Sequence, residues 1–395
     1  MAGRDRKYTP RVRSRRPLGE PRSSNSPPAK PLPAPKQKEG LWYIPSPLAQ
    51  RLHEKSALGT TTSDGGILLT EAEVLFCHWY RHVPLDIDQA SWFEQRVRED
   101  PRSAMKIIGM DVLRNGGELV VPCVHLNERF PSLHSATWAL RWERHQSWKK
   151  HAGFSQVRLQ HTNDLLDWDE LLGWVDDVHS SGHVAELCVV DDEFDATIYH
   201  LERTHPQGGQ RLHSDLTARE QTGLKDLCET AVQMNDGFFL STTIDWPLPS
   251  IGVEHFSGRY LRKEEHTYLT GRTSTPIESL YAQLLDAGLL LRPGFKFGCR
   301  WRVYERNIEL EHAPWLVQPV EDAPTNWEEV CLAVRLAEGV NKRWLCAIQH
   351  GDEFSYLISN AELETSSSTG RPQGSIETSV FGDDSISSSV FGVGF

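Results

Sequence analysis

Three side chains late in the chain could share one chemical task. Tyr304 ends the alternating run CRWRVY, His312 heads the run APWLVQPV, and Lys342 stands between a helix-patterned segment and RWLCAIQ. Nothing beside them reads as a Ser or Cys nucleophile or as a metal cage. A Tyr, a His and a Lys fit cleavage of RNA, because the ribose 2′-OH is the substrate's own nucleophile. A general base must take the 2′ proton, and a general acid must protonate the departing 5′ oxygen. Histidine, with an ordinary pKa of about 6.5, suits the acid role. Tyrosine, ordinarily about 10, needs a cation beside it to serve as base. Lys342 would supply that cation and would also hold the charge gathering on a pentacoordinate phosphorus. Singly, each residue has a plainer reading: strand-end packing for Tyr304, a structural role for His312, a helix-dipole partner for Lys342.

The elements that must position these residues are legible. CRWRVY alternates and is rich in β-formers, which predicts a strand; APWLVQPV predicts a second. TNWEEVCLAVRLAEGV opens with the N-cap candidates Thr325 and Asn326 and carries Glu328 and Glu329 in its first turn. Val330, Val334 and Ala337 recur at helical spacing, and Gly339 suits the end. RWLCAIQ predicts a buried strand, and a turn at GDE leads into FSYLIS. In this β-β-α-β-β order, adjacent strand ends and a helix end can meet on one sheet edge.

The same order recurs earlier. Trp142-Glu-Arg matches Tyr304-Glu-Arg, His151-Ala matches His312-Ala, and Trp168-Asp-Glu matches Trp327-Glu-Glu. Leu187-Cys matches Leu345-Cys, and Asp192-Glu-Phe matches Asp352-Glu-Phe, all at offsets of 158 to 162. Five matches in order indicate an internal duplication. The fold class expected is α/β: a tandem duplication in which each copy joins a small α/β N-terminal segment to a β-β-α-β-β nuclease module of restriction-endonuclease-like type. The boundaries are 1–39 basic leader, 40–115 and 116–203 for the two parts of copy one, 204–285 and 286–361 for linker and copy two, and 362–395 tail. THPQGGQ, from Thr204 to Gln210, links the copies. Copy one lacks the chemistry: Trp142 replaces the Tyr, and Gly182 or His183 falls at the Lys position. A Trp cannot transfer a proton.

Composition narrows the class further. The chain has 395 residues and a net charge of −12, yet residues 1–39 carry +8, so the body is acidic and its leader basic. The leader, rich in Pro, Ser and Arg, cannot build a core; it is a solvated arm or a loose phosphate-binding one. The tail repeats SVFG at Ser379–Gly382 and Ser389–Gly392. No run of about 18 apolar residues and no apolar signal region is present, so no membrane span is expected. Seven scattered Cys, without a CxxC, read as reduced core residues of a cytoplasmic protein, and Cys77-His78 and Cys123-x-His125 as packing rather than zinc ligands.

The stretch LYAQLLDAGLLLRPGFKFGCRWRVYERNIELEHAPWLV, followed by WEEVCLAVRLAEGVNKRWLCAI, resembles the tRNA-splicing endonucleases of archaeal type. The detailed likeness covers about 280–350. It implies Tyr304 as base, His312 as acid and Lys342 as transition-state stabiliser, with no metal or other cofactor. It also implies products with a 2′,3′-cyclic phosphate and a 5′-hydroxyl, cut from precursor tRNA folded as bulge–helix–bulge. One live copy beside one dead copy resembles the duplicated subclass, a homodimer imitating a four-unit assembly. In that family an acidic loop enters a neighbouring unit's basic pocket. Here the loop is QHTNDLLD, with Asp164 and Asp167, and its counterpart VEDAPTN, with Glu321 and Asp322; these carboxylates could equally cap the following helices. Arg335 matches one of two arginines that clamp an extruded base. The second, expected after the last strand, is missing from SYLISNAEL, although Arg203 follows the last strand of copy one. Lys296 and Arg300 are candidate RNA-backbone contacts, or could line the acidic-loop pocket.

Two other readings compete. A non-catalytic structural or RNA-binding subunit of the same fold would need a broken triad in both copies. A metal-dependent nuclease of restriction type would need a Glu-x-Lys, and the body holds none.

Overall fold

The computed structural model describes residues 31–361, apart from 127–129, 131–132, 243, 310 and 352. Ordered structure begins earlier than composition indicates. Leu32 packs on the first core cluster, and β1 (Lys36–Lys38) pairs with β2 (Leu41–Ile44). Glu39 and Gly40 join them at φ of 53° and 78°, the paired positive values of a two-residue hairpin loop. The leader read as 1–39 thus gives way to a strand by Lys36. An exposed edge held by backbone hydrogen bonds needs no apolar side chains, so composition does not reveal it. Residues 1–30 and both SVFG copies lie outside the described residues.

The N-terminal segment continues with α1 (Leu48–Ser56), β3 (Thr60–Thr61), β4 (Ile67–Leu69), α2 (Glu71–Arg81), α3 (Gln89–Glu99) and α4 (Ser103–Asn115). Thr70 and Glu73 start α2 with a reciprocal capping box. Glu73 is fully buried and bonds His125 Nε2 at 2.6 Å, so the His of Cys123-x-His125 is held by a carboxylate. Next come β5 (Leu119–Pro122), β6 (Ala139–Trp142), β7 (Ser155–His161), α5 (Trp168–Ser180), β8 (Val184–Val190) and β9 (Ala196–Thr204).

The second half runs α6 (Ala218–Glu229), β10 (Val232–Met234), β11 (Gly237–Ser241), β12 (Val253–His255), β13 (Gly258–Arg262), α7 (Lys263–Thr270) and α8 (Pro276–Asp286). It closes with β14 (Leu290–Pro293), β15 (Trp301–Tyr304), β16 (Trp315–Pro319), α9 (Trp327–Glu338), β17 (Arg343–His350) and β18 (Glu353–Ala361). Each module therefore carries one strand more than β-β-α-β-β, namely β5 and β14. These are short edge strands whose apolar residues read equally as the tail of the preceding helix.

Strand order recurs between the halves, although the helices of the two N-terminal segments differ in place. Both N-terminal segments hold a four-stranded sheet, in the orders β1-β2-β4-β3 and β10-β11-β13-β12. The larger sheet has ten strands in the order β14-β15-β16-β17-β18-β9-β8-β7-β6-β5. Its centre is the antiparallel pair β18–β9, from Tyr356↔Thr204 to Ala361↔Tyr199. Each half keeps one parallel pair, β7–β8 and β16–β17, bridged by its helix. One face of each half packs on its own N-terminal helices. The other face forms one core under α5 and α9 together, including Trp174, Val330, Val334, Leu187 and Cys346.

Register corrects two of the sequence matches. Leu187 falls on Cys346, and it is Glu186 that falls on Leu345. Ser155 pairs with Val184 as Trp315 pairs with Arg343. His151 lies four residues before its strand and His312 three, so the two are not equivalent. His151 Nδ1 is taken up by Ser147 of its own turn, 3.1 Å from the carbonyl. All seven Cys are free, and all but Cys123 are buried. No helix of the described residues is long and apolar enough to cross a membrane.

Candidate active site

The site is assembled where β15 ends, β16 begins and β17 begins. α8 starts the construction: Thr275 and Glu278 form a capping box with Pro276 at the first helical position. Then comes β14 and the turn Phe295–Phe297. Two glycines permit that turn. A Cβ on Gly294 would stand 2.4 Å from Cys299 Sγ, and Gly298 has φ 67°. The turn leaves Phe295 and Lys296 exposed and places Phe297 with its ring centroid 5.5 Å from Lys342 Nζ.

β15 then alternates. Trp301 and Val303 enter the core with Tyr281 and Leu284 of α8, which sends Tyr304 no further than the strand's end on its other side. There Tyr304 packs on Leu290 and Ala313 and is 6% exposed. Asn326 caps α9, its Oδ1 accepting from the Glu329 N–H at 3.0 Å. The helix ends at Gly339, and Asn341 (φ 55°) turns the chain into β17. Lys342 N–H donates to the Ala337 carbonyl, and Arg343 N–H to that of Pro314, both at 2.9 Å. The Lys342 ammonium donates to the Ala313 carbonyl at 2.9 Å.

Ala313 is thus the common point. Its apolar side touches Tyr304, its carbonyl holds Lys342, and His312, exposed, immediately precedes it. Burial, and then the neighbouring Arg302 charge, hold the Lys342 amine below its ordinary value. A buried phenol and an ammonium are thus both brought to Ala313, next in sequence to the exposed His312.

The other candidates go elsewhere. Arg335 is exposed on α9 and donates to Thr197 Oγ1 on β9 at 3.0 Å. Arg203 lies within β9 rather than after it, because β9 continues to Thr204 to pair with β18. It bonds Asp176 at 3.1 Å and Ser355 at 2.5 Å. Arg300 is paired with Asp322 at 2.8 Å and Glu264 at 3.4 Å. Lys296 remains on the exposed turn.

In the acidic loop, Asp164 pairs with Arg102 at 3.1 Å and accepts the His161 N–H at 2.9 Å. Asp167 caps α5, accepting from Glu170 N–H at 3.0 Å. The loop meets its counterpart in the same chain: Leu166 N–H bonds the Thr325 carbonyl, and Glu328 N–H that of Thr162, both at 2.9 Å. Between them Leu165 stands 83% exposed. Losing the cap in Asp167→Ala should lower stability by about 1 kcal/mol, measurable by chemical denaturation. No change would mean that the cap is replaced by solvent.

At the matching corner of the first half, Trp142 fills the Tyr304 position, fully buried, and its indole N–H donates to the His151 carbonyl at 3.0 Å. His183 precedes β8 as Lys342 precedes β17, and burial lowers its pKa. One site residue escaped the sequence reading: Arg302, whose guanidinium carbon lies 5.9 Å from the Tyr304 ring centroid. Charged residues alternating along a strand are ordinarily solvated, so spacing alone gave no signal.

Residues 276–356, from the start of α8 into β18, match the family described as tRNA intron endonuclease, catalytic C-terminal domain. Among known proteins, the chain is 22% identical over 195 residues to the tRNA-splicing endonuclease of Picrophilus torridus, covering 49% of this chain and 59% of that one. It is 28% identical over 212 residues to that of Methanosarcina mazei, covering 43% and 56%. For the Methanosarcina barkeri protein the figures are 26% over 325 residues, covering 73% and 87%. The chain spans under two thirds of the first two of these relatives. Residues 276–356 are thus similar to the catalytic domain of tRNA intron endonucleases, and the chain is similar to tRNA-splicing endonucleases of archaea.

Proposed function

We propose that the chain is an RNA endonuclease that excises introns from precursor tRNA at bulge–helix–bulge junctions. Tyr304 takes the 2′-OH proton, the 2′ oxygen bonds to phosphorus, the bond from phosphorus to the 5′ oxygen breaks, and His312 protonates that oxygen. Lys342 holds the extra charge between bond making and breaking. The products carry a 2′,3′-cyclic phosphate and a 5′-hydroxyl, and no step calls for a metal. The observation that carries the reading is the gathering of Tyr304 and Lys342 on Ala313, beside His312.

The two halves read as a duplication whose first copy has lost the phenol to Trp142. One chain would then count as two units, and two chains as a four-unit assembly with two live sites. Two sites at a fixed separation would measure the distance between bulges by shape rather than base sequence. Asp164 and Asp167 are the loop carboxylates for the contact between chains, and Lys296, Arg300 and Arg335 the RNA contacts. A non-catalytic role is not favoured, because the second half retains all three groups.

The test is cleavage of a bulge–helix–bulge RNA in EDTA by wild type and by His312→Ala. Expected are EDTA-resistant cutting with cyclic-phosphate ends and a loss of about 10²–10⁴-fold in the variant. Cutting that EDTA abolishes would overturn the mechanism. Binding without cutting by the wild type would return the structural-subunit reading.

A further inference from the structure

Arg302 shares the Tyr304 side of β15, since Trp301 and Val303 take the core side. Its position is electrostatically awkward. Directly across the ladder stands Arg292, and opposed like charges destabilise a sheet. Arg292 is compensated: it donates to the carbonyls of Ser250 at 3.2 Å and Gly252 at 3.3 Å, and Glu265 lies 3.8 Å away. Arg302 is not. Its Nε is buried and has no acceptor, and among the described residues no carboxylate pairs with it. A buried donor without an acceptor is costly. The Arg302 guanidinium carbon lies 5.9 Å from the Tyr304 ring centroid, and that ring packs on Ala313, whose carbonyl holds the Lys342 ammonium at 2.9 Å. Arg302 and Lys342 thus stand at the Tyr304 ring and the Ala313 carbonyl, and among the described residues no carboxylate pairs with either. A phosphate in that place would satisfy both.

We propose that Arg302 is a further catalytic residue, its guanidinium binding a non-bridging oxygen of the reacting phosphate beside Lys342. This rests on the cleavage reading. A guanidinium presents donors in a fixed fork, whereas an ammonium is a point charge. The pair would therefore fix the phosphate's orientation as well as its charge.

The test uses the full chain and a bulge–helix–bulge RNA in single turnover, with Arg302→Met and Arg302→Lys. Methionine keeps an apolar stem against Tyr304 and removes only the guanidinium. Expected is a loss of about 10²-fold in cleavage for Arg302→Met, with RNA affinity held, a melting temperature no lower than that of wild type, and partial recovery in Arg302→Lys. Sulfur placed at one non-bridging oxygen of the scissile phosphate should slow the wild type, and slow Arg302→Met much less. A purely structural role would not move that ratio. If wild type cuts and Arg302→Met cuts within about threefold of it, with an unchanged sulfur effect, the Arg302 assignment is overturned alone. A wild type that does not cut overturns the cleavage reading and this assignment with it. Should Arg302→Met not fold, Arg302→Gln, which keeps a polar amide at that depth, is judged by the same two readouts.

Discussion

Tyr304→Phe is expected to reduce single-turnover cleavage by about 10²–10⁴-fold while leaving the melting temperature nearly unchanged. The ring packs on Leu290 and Ala313, and those contacts survive the substitution; only the oxygen that would take the 2′ proton is removed. Rate and melting must therefore separate. A variant that cuts at the wild-type rate would remove Tyr304 from the reaction and leave the 2′ proton to another group. A variant that loses both rate and melting temperature would show a packing role. Trp142 gives the contrast, since it occupies the matching position as a fully buried indole bonded to the His151 carbonyl. Converting Trp142 to Tyr would not build a second site, because His151 stands out of register and no Lys precedes β8.

The largest stability effect is expected in the first half. Four strands there place polar side chains where the second half is apolar. Glu186, fully buried, bonds Arg141 at 2.9 Å, Ser155 at 2.7 Å and His200 at 3.1 Å. By ladder register the counterparts of Arg141, Ser155, Glu186 and His200 are Val303, Trp315, Leu345 and Ile358. Glu186→Leu should cost about 3–5 kcal/mol, because it takes from the buried Arg141 charge a carboxylate at 2.9 Å. Replacing both, as Arg141→Val with Glu186→Leu, should recover much of that loss, since an apolar pair often equals a buried ion pair. Denaturant unfolding of the three proteins decides it. A double variant no better than the single one would mean that the network fixes the strands in some other way.

The same carboxylate sets an acid limit. Burial alone would raise the Glu186 pKa, but the His200 bond, the Arg141 charge and the Ser155 bond outweigh it, and the net direction is downward. A depressed folded pKa means that this stabilisation is present above the ordinary carboxylate range and is lost as pH falls through the folded value. Acid unfolding of wild type should accordingly be steeper than that of the Arg141→Val, Glu186→Leu protein. Equal slopes would exclude Glu186 as the titrating group.

What the sequence determined by itself is local. Periodicity and an N-terminal cap set α9, because helical spacing and N-terminal side chains act within a few residues. The alternating runs set β15 to β18, and the types of Tyr304, His312 and Lys342 proposed the chemistry before any fold was known. What only the tertiary structure decided depends on which strands pair. Composition could not find β1, a polar edge strand, or the leading strands β5 and β14. Matching residues by type misaligned His151 with His312 and Leu187 with Leu345, each by one position, because like letters can stand one place apart where only a hydrogen-bonded ladder counts residues. The pairing of β18 with β9, which makes ten strands one sheet, joins residues over 150 positions apart and leaves no local mark. Arg302 is the sharpest case. As a letter it is an ordinary strand charge. Only the ladder that sets it opposite Arg292, and the packing that buries its Nε, make it a cation in want of an anion.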